Sequence, residues 1–115
     1  VWWDSIRFEA IPPPAQRKLT IASVKLRPQN SASAAESVSR FFATIEQRVP
    51  KNADLILLPE GITVVGTSKT YADVAETIPG PTTTRLAELA RTRRAYVAAG
   101  LYEREGRTLY NTSVL

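Results

Sequence analysis

A run of four apolar residues, Leu55-Ile56-Leu57-Leu58, most constrains what this chain can fold into. The run is too short for a helix and is apolar at consecutive positions, a pattern typical of a strand buried on both faces. Strands of this kind occur in parallel sheets that helices cover. The run stops at Pro59-Glu60-Gly61, because proline and glycine interrupt regular structure. The segment therefore predicts a central strand of an α/β sheet.

Strand and helix patterns alternate on both sides of this run. The predicted elements are a strand at 18–26, a helix at 33–49, the strand at 55–58, a short helix at 71–78, a helix at 82–94, and strands at 95–101 and 109–115. Either Ser31 or Ser33 would cap the first helix, with Glu36 at the capping-box distance from Ser33. Thr82 would cap the last helix. The alternation predicts an α/β layer in which helices pack on a sheet.

The first 17 residues have a different pattern. Apolar and polar residues alternate over 1–11, which predicts a strand, and we interpret it as the last strand of an upstream module. Its Trp2-Trp3 segment resembles the last strand of jelly-roll, carbohydrate-binding-like modules. Pro12-Pro13-Pro14 prevents continuation of the strand, so residues 12–17 are predicted to be a proline-rich linker. A start at Val1 indicates a piece of a longer protein.

Composition excludes several kinds of site within the chain. Its 115 residues contain no Cys and no His, so they hold no disulfide, no Cys nucleophile and no Ser-His-Asp triad. The apolar runs are too short to span a bilayer, and no membrane partner is predicted. The net charge is +4, but the densest basic cluster, Arg91, Arg93 and Arg94, is expected on a solvated helix face. We therefore predict no nucleic-acid partner.

Glu60 is the candidate catalytic residue. It directly follows the doubly apolar strand, and sites in open α/β sheets form at the carboxyl ends of strands. A rigid strand end also holds a general base in place better than a flexible loop does. The alternative is structural, in which Glu60 is a solvated loop acid or caps a turn.

The stretch Ala53-Asp54-Leu55-Ile56-Leu57-Leu58-Pro59-Glu60 resembles the first signature of the nitrilase, or carbon–nitrogen hydrolase, superfamily. Further segments resemble that family in the same order, namely 18–24, 33–49, 78–90, 96–104 and 110–114. The complete domain of the family is an α-β-β-α sandwich. The resemblance implies that residues 18–115 form the N-terminal part, about half, of such a domain.

The resemblance also implies a chemistry. The family uses Glu, Lys and Cys, and Glu60 would be the general base that activates the Cys thiol. The Lys and Cys would lie beyond Leu115, since Lys69 comes too early in the chain to be that Lys. The parent protein would hydrolyse a small amide, carbamoyl compound or nitrile without a cofactor, and would form a homo-oligomer. This chain alone would be inactive. Lys25 departs from the family pattern, which often has an amide side chain near that position.

Two further interpretations stay open at this stage. Tyr110 and Asn111 match a Tyr-Asn pair of the family, but we favour structural roles for them, with Asn111 bonding a loop backbone. Tyr71, Tyr96 and Tyr102 are expected to be packing residues. The alternative function is a non-catalytic α/β binding or structural module beside a carbohydrate-binding-like domain, in which Glu60 has no catalytic role.

Overall fold

The computed structural model describes residues 7–115. The elements are β1 (Ile21–Ser23), α1 (Ala34–Arg48), β2 (Leu55–Leu57), α2 (Tyr71–Val74), α3 (Pro81–Arg93), β3 (Tyr96–Glu105) and β4 (Thr108–Val114). Their order confirms the predicted α/β alternation. Most of the predicted N-terminal strand at 1–11 lies outside the described residues, and its remainder, 7–11, is exposed and forms no strand. No described helix is long and apolar enough to cross a membrane.

The four strands form one sheet in the order β1-β2-β3-β4. β1, β2 and the first part of β3 are parallel, whereas β3 and β4 form an antiparallel hairpin. The β1 and β2 strands have three residues each, so β1 is much shorter than the predicted 18–26. β3 pairs with β4 from Ala99 to Glu105, so it continues beyond the predicted end at residue 101.

Helix α1 begins and ends where the sequence predicts. Ser33 is the N-cap, and its side chain accepts a hydrogen bond from the Glu36 N–H at 3.1 Å. The Glu36 carboxylate accepts from the Ala32 N–H at 2.8 Å, so it bonds one residue before the N-cap. Pro50 prevents a further helical turn, and the chain becomes extended at Val49.

Helix α3 begins earlier than predicted. Gly80 is the N-cap and Pro81 is the first helical residue, so the predicted cap at Thr82 is wrong. The Thr83 hydroxyl accepts from the Gly80 N–H at 2.7 Å. The Thr82 N–H has no partner within the helix, and it donates to the two oxygens of the Glu76 carboxylate at 3.1 and 3.2 Å. Glu76, which precedes Thr82 by six residues, therefore supplies an acceptor at the start of the helix.

Arg93 is buried, with 8% of its surface exposed, so the predicted solvated position for all three arginines is wrong. Its guanidinium donates to the carbonyl oxygens of Val49 and Pro50, at 3.0 and 2.7 Å, and to the Glu46 carboxylate at 3.1 Å. The charge is thus buried against the carbonyls at the end of α1, where a cation is favourable. Arg91 and Arg94 are exposed as expected.

Both long helices cover the same face of the sheet. The core joins apolar residues of α1 and α3 to alternate residues of the strands, including Val38, Phe41, Ile45, Ile56, Leu86, Leu89, Val97 and Leu101. The opposite face, which we call the open face, is uncovered in the described residues. It carries the side chains of Ile21, Leu55, Leu57 and Tyr96, which are half-buried or exposed. β2 is therefore covered by helices on one face, and its other face is only half-buried in the described residues, whereas the apolar run predicted burial on both faces.

Candidate functional site

Glu60 stands at the carboxyl end of β2, and the strand β3 holds its backbone from both sides. The Gly61 N–H donates to the Gly100 carbonyl at 2.9 Å, and the Gly100 N–H donates to the Pro59 carbonyl at 3.4 Å. Because these bonds flank Glu60, they place it directly beside Gly100. The predicted position of Glu60 at a strand end therefore corresponds to a fixed backbone.

An extra residue in the chain after β2 decides which face Glu60 reaches. Leu57 pairs with Ala98, and Glu60 stands beside Gly100, so three steps along β2 match two steps along β3. Such an insertion is the defining feature of a bulge and reverses the alternation of side chains. Without it, residue 60 would point to the helix-covered face, with Ile56. With it, Glu60 reaches the open face.

Gly100 permits the close approach of the two chain segments. A Cβ atom built on Gly100 would lie 2.8 Å from the Cα of Glu60 and 3.3 Å from its Cβ and Cγ. The first distance is far below the separation of about 3.5–4.0 Å that two carbon atoms prefer. Any side chain at position 100 would therefore displace Glu60.

The Glu60 side chain is exposed, and two donors hold one of its oxygens. The Asn111 Nδ2 lies 2.9 Å from Glu60 Oε1, and the Tyr102 hydroxyl lies 3.4 Å from the same atom. The first is an ordinary hydrogen bond and the second is long. Tyr102 and Asn111 are directly opposite one another in the β3–β4 hairpin. One rung of the hairpin therefore supplies both donors.

The Tyr102 ring is itself held by a second aromatic residue. Its ring centroid lies 4.4 Å from that of Tyr71, with 22° between the ring planes. Burial raises the pKa of the Tyr102 phenol above its ordinary value, and the neighbouring Tyr71 and the Glu60 carboxylate raise it further. The phenol therefore stays protonated near neutral pH and keeps its proton for donation.

Helix α2 carries Tyr71 to this position and is secured at both ends of its single turn. Thr70 and Asp73 form a reciprocal capping box, in which the Thr70 N–H donates to the Asp73 carboxylate at 2.8 Å. The hydroxyl of Thr70 also donates to that carboxylate, at 2.7 Å. Arg104 of β3 donates to the carbonyl of Ala72. α2 ends at Val74 rather than at the predicted residue 78.

The segment that follows Glu60 is anchored to helix α1. The buried Ser37 hydroxyl lies 2.9 Å from the Ile62 carbonyl and 2.8 Å from the Val65 carbonyl. Ser37 is completely inaccessible to solvent, so these contacts form inside the core. The anchor limits the movement of the loop that begins one residue after Glu60.

A cleft of about 280 Å³ opens beside Glu60 on the open face. Small side chains from β3 and β4 form much of its wall, which consists of Leu58, Glu60, Ala98, Ala99, Gly100, Asn111 and Ser113. The volume is close to the lower limit of about 300 Å³ for small-molecule sites. An exposed carboxylate at such a cleft is able to accept a proton from a group placed there.

We expected the Asn111 side chain to bond a loop backbone, and this partner is wrong. The side chain donates to the Glu60 carboxylate instead. Tyr110 pairs opposite Glu103, and strand alternation directs it to the other face of the hairpin. Tyr102, expected to pack only, reaches Glu60. The sequence does contain a signal for this arrangement, because a two-residue turn at Gly106 places position 102 opposite position 111.

The other residues that the sequence singled out do not join this site. Tyr96 and Tyr71 are 69% and 60% exposed, and only Tyr71 contacts a member of the site, Tyr102. Lys25 and Lys69 are exposed, and neither lines the cleft. Among residues 7–115, no group of three His, Cys, Asp or Glu side chains is placed to hold a metal ion.

Comparison with known proteins gives a consistent result. The model of a family described as carbon-nitrogen hydrolase matches residues 20–115. An omega-amidase of Bos taurus is 33% identical over 85 residues, which cover 73% of this chain and 31% of that protein. A nitrilase of Pyrococcus abyssi is 33% identical over 94 residues, or 78% of this chain and 34% of that protein. Nitrilase 1 of Arabidopsis thaliana is 27% identical over 124 residues, or 91% of this chain and 35% of that protein. The chain spans about a third of the length of these relatives.

Proposed function

Because this chain belongs to the carbon–nitrogen hydrolase family, we propose that it forms the N-terminal part of an enzyme that hydrolyses non-peptide carbon–nitrogen bonds. The substrate class is a small amide, carbamoyl compound or nitrile. The names of the relatives, an omega-amidase and nitrilases, support this range. The parent enzyme needs no metal or cofactor for this chemistry, and we propose that it is a homo-oligomer.

The position of Glu60 is the observation that carries the proposal. Its carboxylate stands at a strand end, beside a cleft, with a hydrogen-bonded oxygen and a backbone held by β3. In the proposed reaction Glu60 accepts the proton of a Cys thiol. The thiolate then attacks the carbonyl or nitrile carbon, and a covalent intermediate forms.

For an amide substrate, the attack converts the carbonyl oxygen to an oxyanion, which a Lys stabilises. The carbon–nitrogen bond then breaks, and the departing nitrogen takes the proton that Glu60 received, so that ammonia or an amine leaves. A water molecule, which gives a proton to Glu60, hydrolyses the thioester. The acid product and the thiol are released, and Glu60 returns to its ionised form. The Lys and the Cys belong to the part of the enzyme that follows this chain.

Replacement of Glu60 by Gln in the complete enzyme tests this role. The amide keeps the size of the side chain but is unable to accept the thiol proton. We expect kcat to fall by about a hundredfold to ten-thousandfold, the usual contribution of a general base. The melting temperature should stay close to that of the unchanged enzyme, because the Glu60 side chain is exposed. Full activity of this variant would refute the catalytic role of Glu60, whereas a complete protein with unchanged Glu60 and no hydrolase activity would favour the binding-module alternative.

We also propose that the rest of the parent domain covers the open face, as in an α-β-β-α sandwich. Tyr96 and Ile21 support this, since they are 69% and 57% exposed although they lie on the sheet. The isolated chain should therefore be inactive and should self-associate through this face. Sedimentation and urea unfolding over a range of concentrations test the idea. Sharp unfolding of a monomer at a midpoint independent of concentration would contradict it.

A further inference from the structure

We propose that Asn111 and Tyr102 are positioning residues for the Glu60 base, which they hold by one oxygen, Oε1, so that Oε2 is the oxygen that accepts the thiol proton. The proposal rests on the function proposed above and assigns roles within that site. It concerns the orientation of the carboxylate, since neither residue needs to touch the substrate.

The hydrogen bonds divide the two carboxylate oxygens. Asn111 and Tyr102 both bond Oε1, and no hydrogen bond within the described part of the chain reaches Oε2. An ionised carboxylate only accepts hydrogen bonds, so Asn111 must present its amide nitrogen to Glu60 and Tyr102 its hydroxyl hydrogen. The division leaves Oε2 available to an incoming proton.

Both donors come from a rigid element. Tyr102 and Asn111 share one rung of the β3–β4 hairpin, whose pairing runs without interruption from Ala99–Val114 to Glu105–Thr108. The Tyr71 ring stacks on the ring of Tyr102 and restricts its rotation. Burial raises the pKa of the Tyr102 phenol, so its hydroxyl stays protonated near neutral pH and is available as a donor.

An exposed glutamate would otherwise be free to rotate about its three side-chain bonds. The backbone of Glu60 is held by Gly100, but that contact does not select a rotamer of the carboxylate. The hydrogen bond from Asn111, at 2.9 Å, supplies the missing restraint. Because catalytic groups lose about a hundredfold in rate when misplaced by roughly 1 Å, the orientation of the carboxylate matters for kcat.

The test uses Asn111→Ser and Tyr102→Phe in the complete enzyme. Serine is too short to reach Oε1, and phenylalanine keeps the stack on Tyr71 while it removes the hydroxyl. We expect Asn111→Ser to lower kcat by about tenfold to a hundredfold, with KM changed by less than about threefold. Tyr102→Phe should lower kcat by less, since its hydrogen bond is long. Tyr110→Phe, on the other face of the hairpin, is the matched control and should leave both constants unchanged.

A double variant separates positioning from a structural role. If Asn111 acts only through the carboxylate, Asn111→Ser should cause no further loss when Glu60 is already replaced by Gln. A further loss of tenfold or more in the Glu60→Gln enzyme would overturn the proposal. If Asn111→Ser does not fold, Asn111→Leu, which keeps a similar size, removes the donor and adds no charge, replaces it with the same expectation.

The outcomes also distinguish the two proposals. Loss of activity in Glu60→Gln together with normal kcat in Asn111→Ser would overturn the positioning role and leave the base in place. Full activity in Glu60→Gln would overturn both. Low kcat with preserved KM in Asn111→Ser, and no additional effect in the double variant, is the result that we expect.

Discussion

Replacement of Gly100 by alanine would test whether close packing of two strands places Glu60, the proposed catalytic base. The added Cβ would lie 2.8 Å from the Cα of Glu60, and carbon atoms prefer about 3.5–4.0 Å. The backbone at Glu60 must therefore move by roughly 0.7–1.2 Å, or β3 must move by a similar distance. The contact atom is backbone, so rotation of a side chain is unable to relieve it.

The expected magnitudes follow from this displacement. Forcing one methyl group into a packed contact costs about 1–3 kcal/mol of stability. Alanine is less flexible than glycine in the unfolded chain, which offsets roughly 0.5–1 kcal/mol of that cost. The free energy of unfolding should thus fall by up to about 2.5 kcal/mol. A shift of about 1 Å in Glu60 should lower kcat by about a hundredfold, which corresponds to 2.7 kcal/mol in the activation barrier.

Urea unfolding and steady-state kinetics of the complete enzyme measure the two effects. Gly106→Ala is the matched control, because Gly106 has a positive φ of 58° and no atom within 4 Å of the added Cβ. That variant should lose about 1 kcal/mol of stability from backbone strain and keep its full kcat. A Gly100→Ala enzyme with unchanged kcat, and with Glu60 unmoved in its structure, would refute the steric reasoning.

Three further predictions concern interactions that stabilise the fold and the segments beside Glu60. Arg93→Ala should lower the free energy of unfolding by about 3 kcal/mol, because buried carbonyls lose a charged donor. Arg91→Ala should have little effect, and urea unfolding midpoints of the two variants measure the difference. Ser37→Ala should cost about 1–3 kcal/mol and lower kcat, and a loss of stability alone would argue against an anchor for the loop after Glu60. Hydrogen bonds from the Thr70 backbone N–H, and secondly from the Thr70 hydroxyl, lower the pKa of Asp73 in the folded protein. The ionised Asp73 therefore stabilises the fold fully above its ordinary pKa of about 3.9, and this stabilisation disappears as the pH falls through the lower pKa of the folded state. The melting temperatures of Asp73→Asn and of the unchanged protein should therefore differ at pH 7 and become equal in strong acid.

The local patterns of the sequence determined the elements and their order. Ser33 and Pro50 delimit α1 because capping and proline geometry depend only on nearby residues. The apolar run at 55–58 identified the central strand, and the acid that follows it identified the candidate site. The ordered resemblance to carbon–nitrogen hydrolases, which the family match confirms, also needed no coordinates.

Errors arose where the folded chain supplied partners that the local helix pattern does not show. Gly80 and not Thr82 is the N-cap of α3, with Glu76 as the acceptor for the Thr82 N–H, and Arg93 became buried because the carbonyls at the end of α1 lie next to it. The period of a helix shows which residues share a face. It does not show that a polar residue on that face will find buried acceptors 43 or 44 positions away.

Only the tertiary structure decided how Glu60 is presented. A strict alternation along β2 would direct it to the helix-covered face, and one extra residue opposite β3 directs it to the open face. Its hydrogen bond to Asn111 joins residues 51 positions apart. Such a contact depends on the register of β2 against β3 and of β3 against β4 together. Sequence alone therefore determined that an acid stands at a strand end, whereas the pairing of three strands determined which groups meet it.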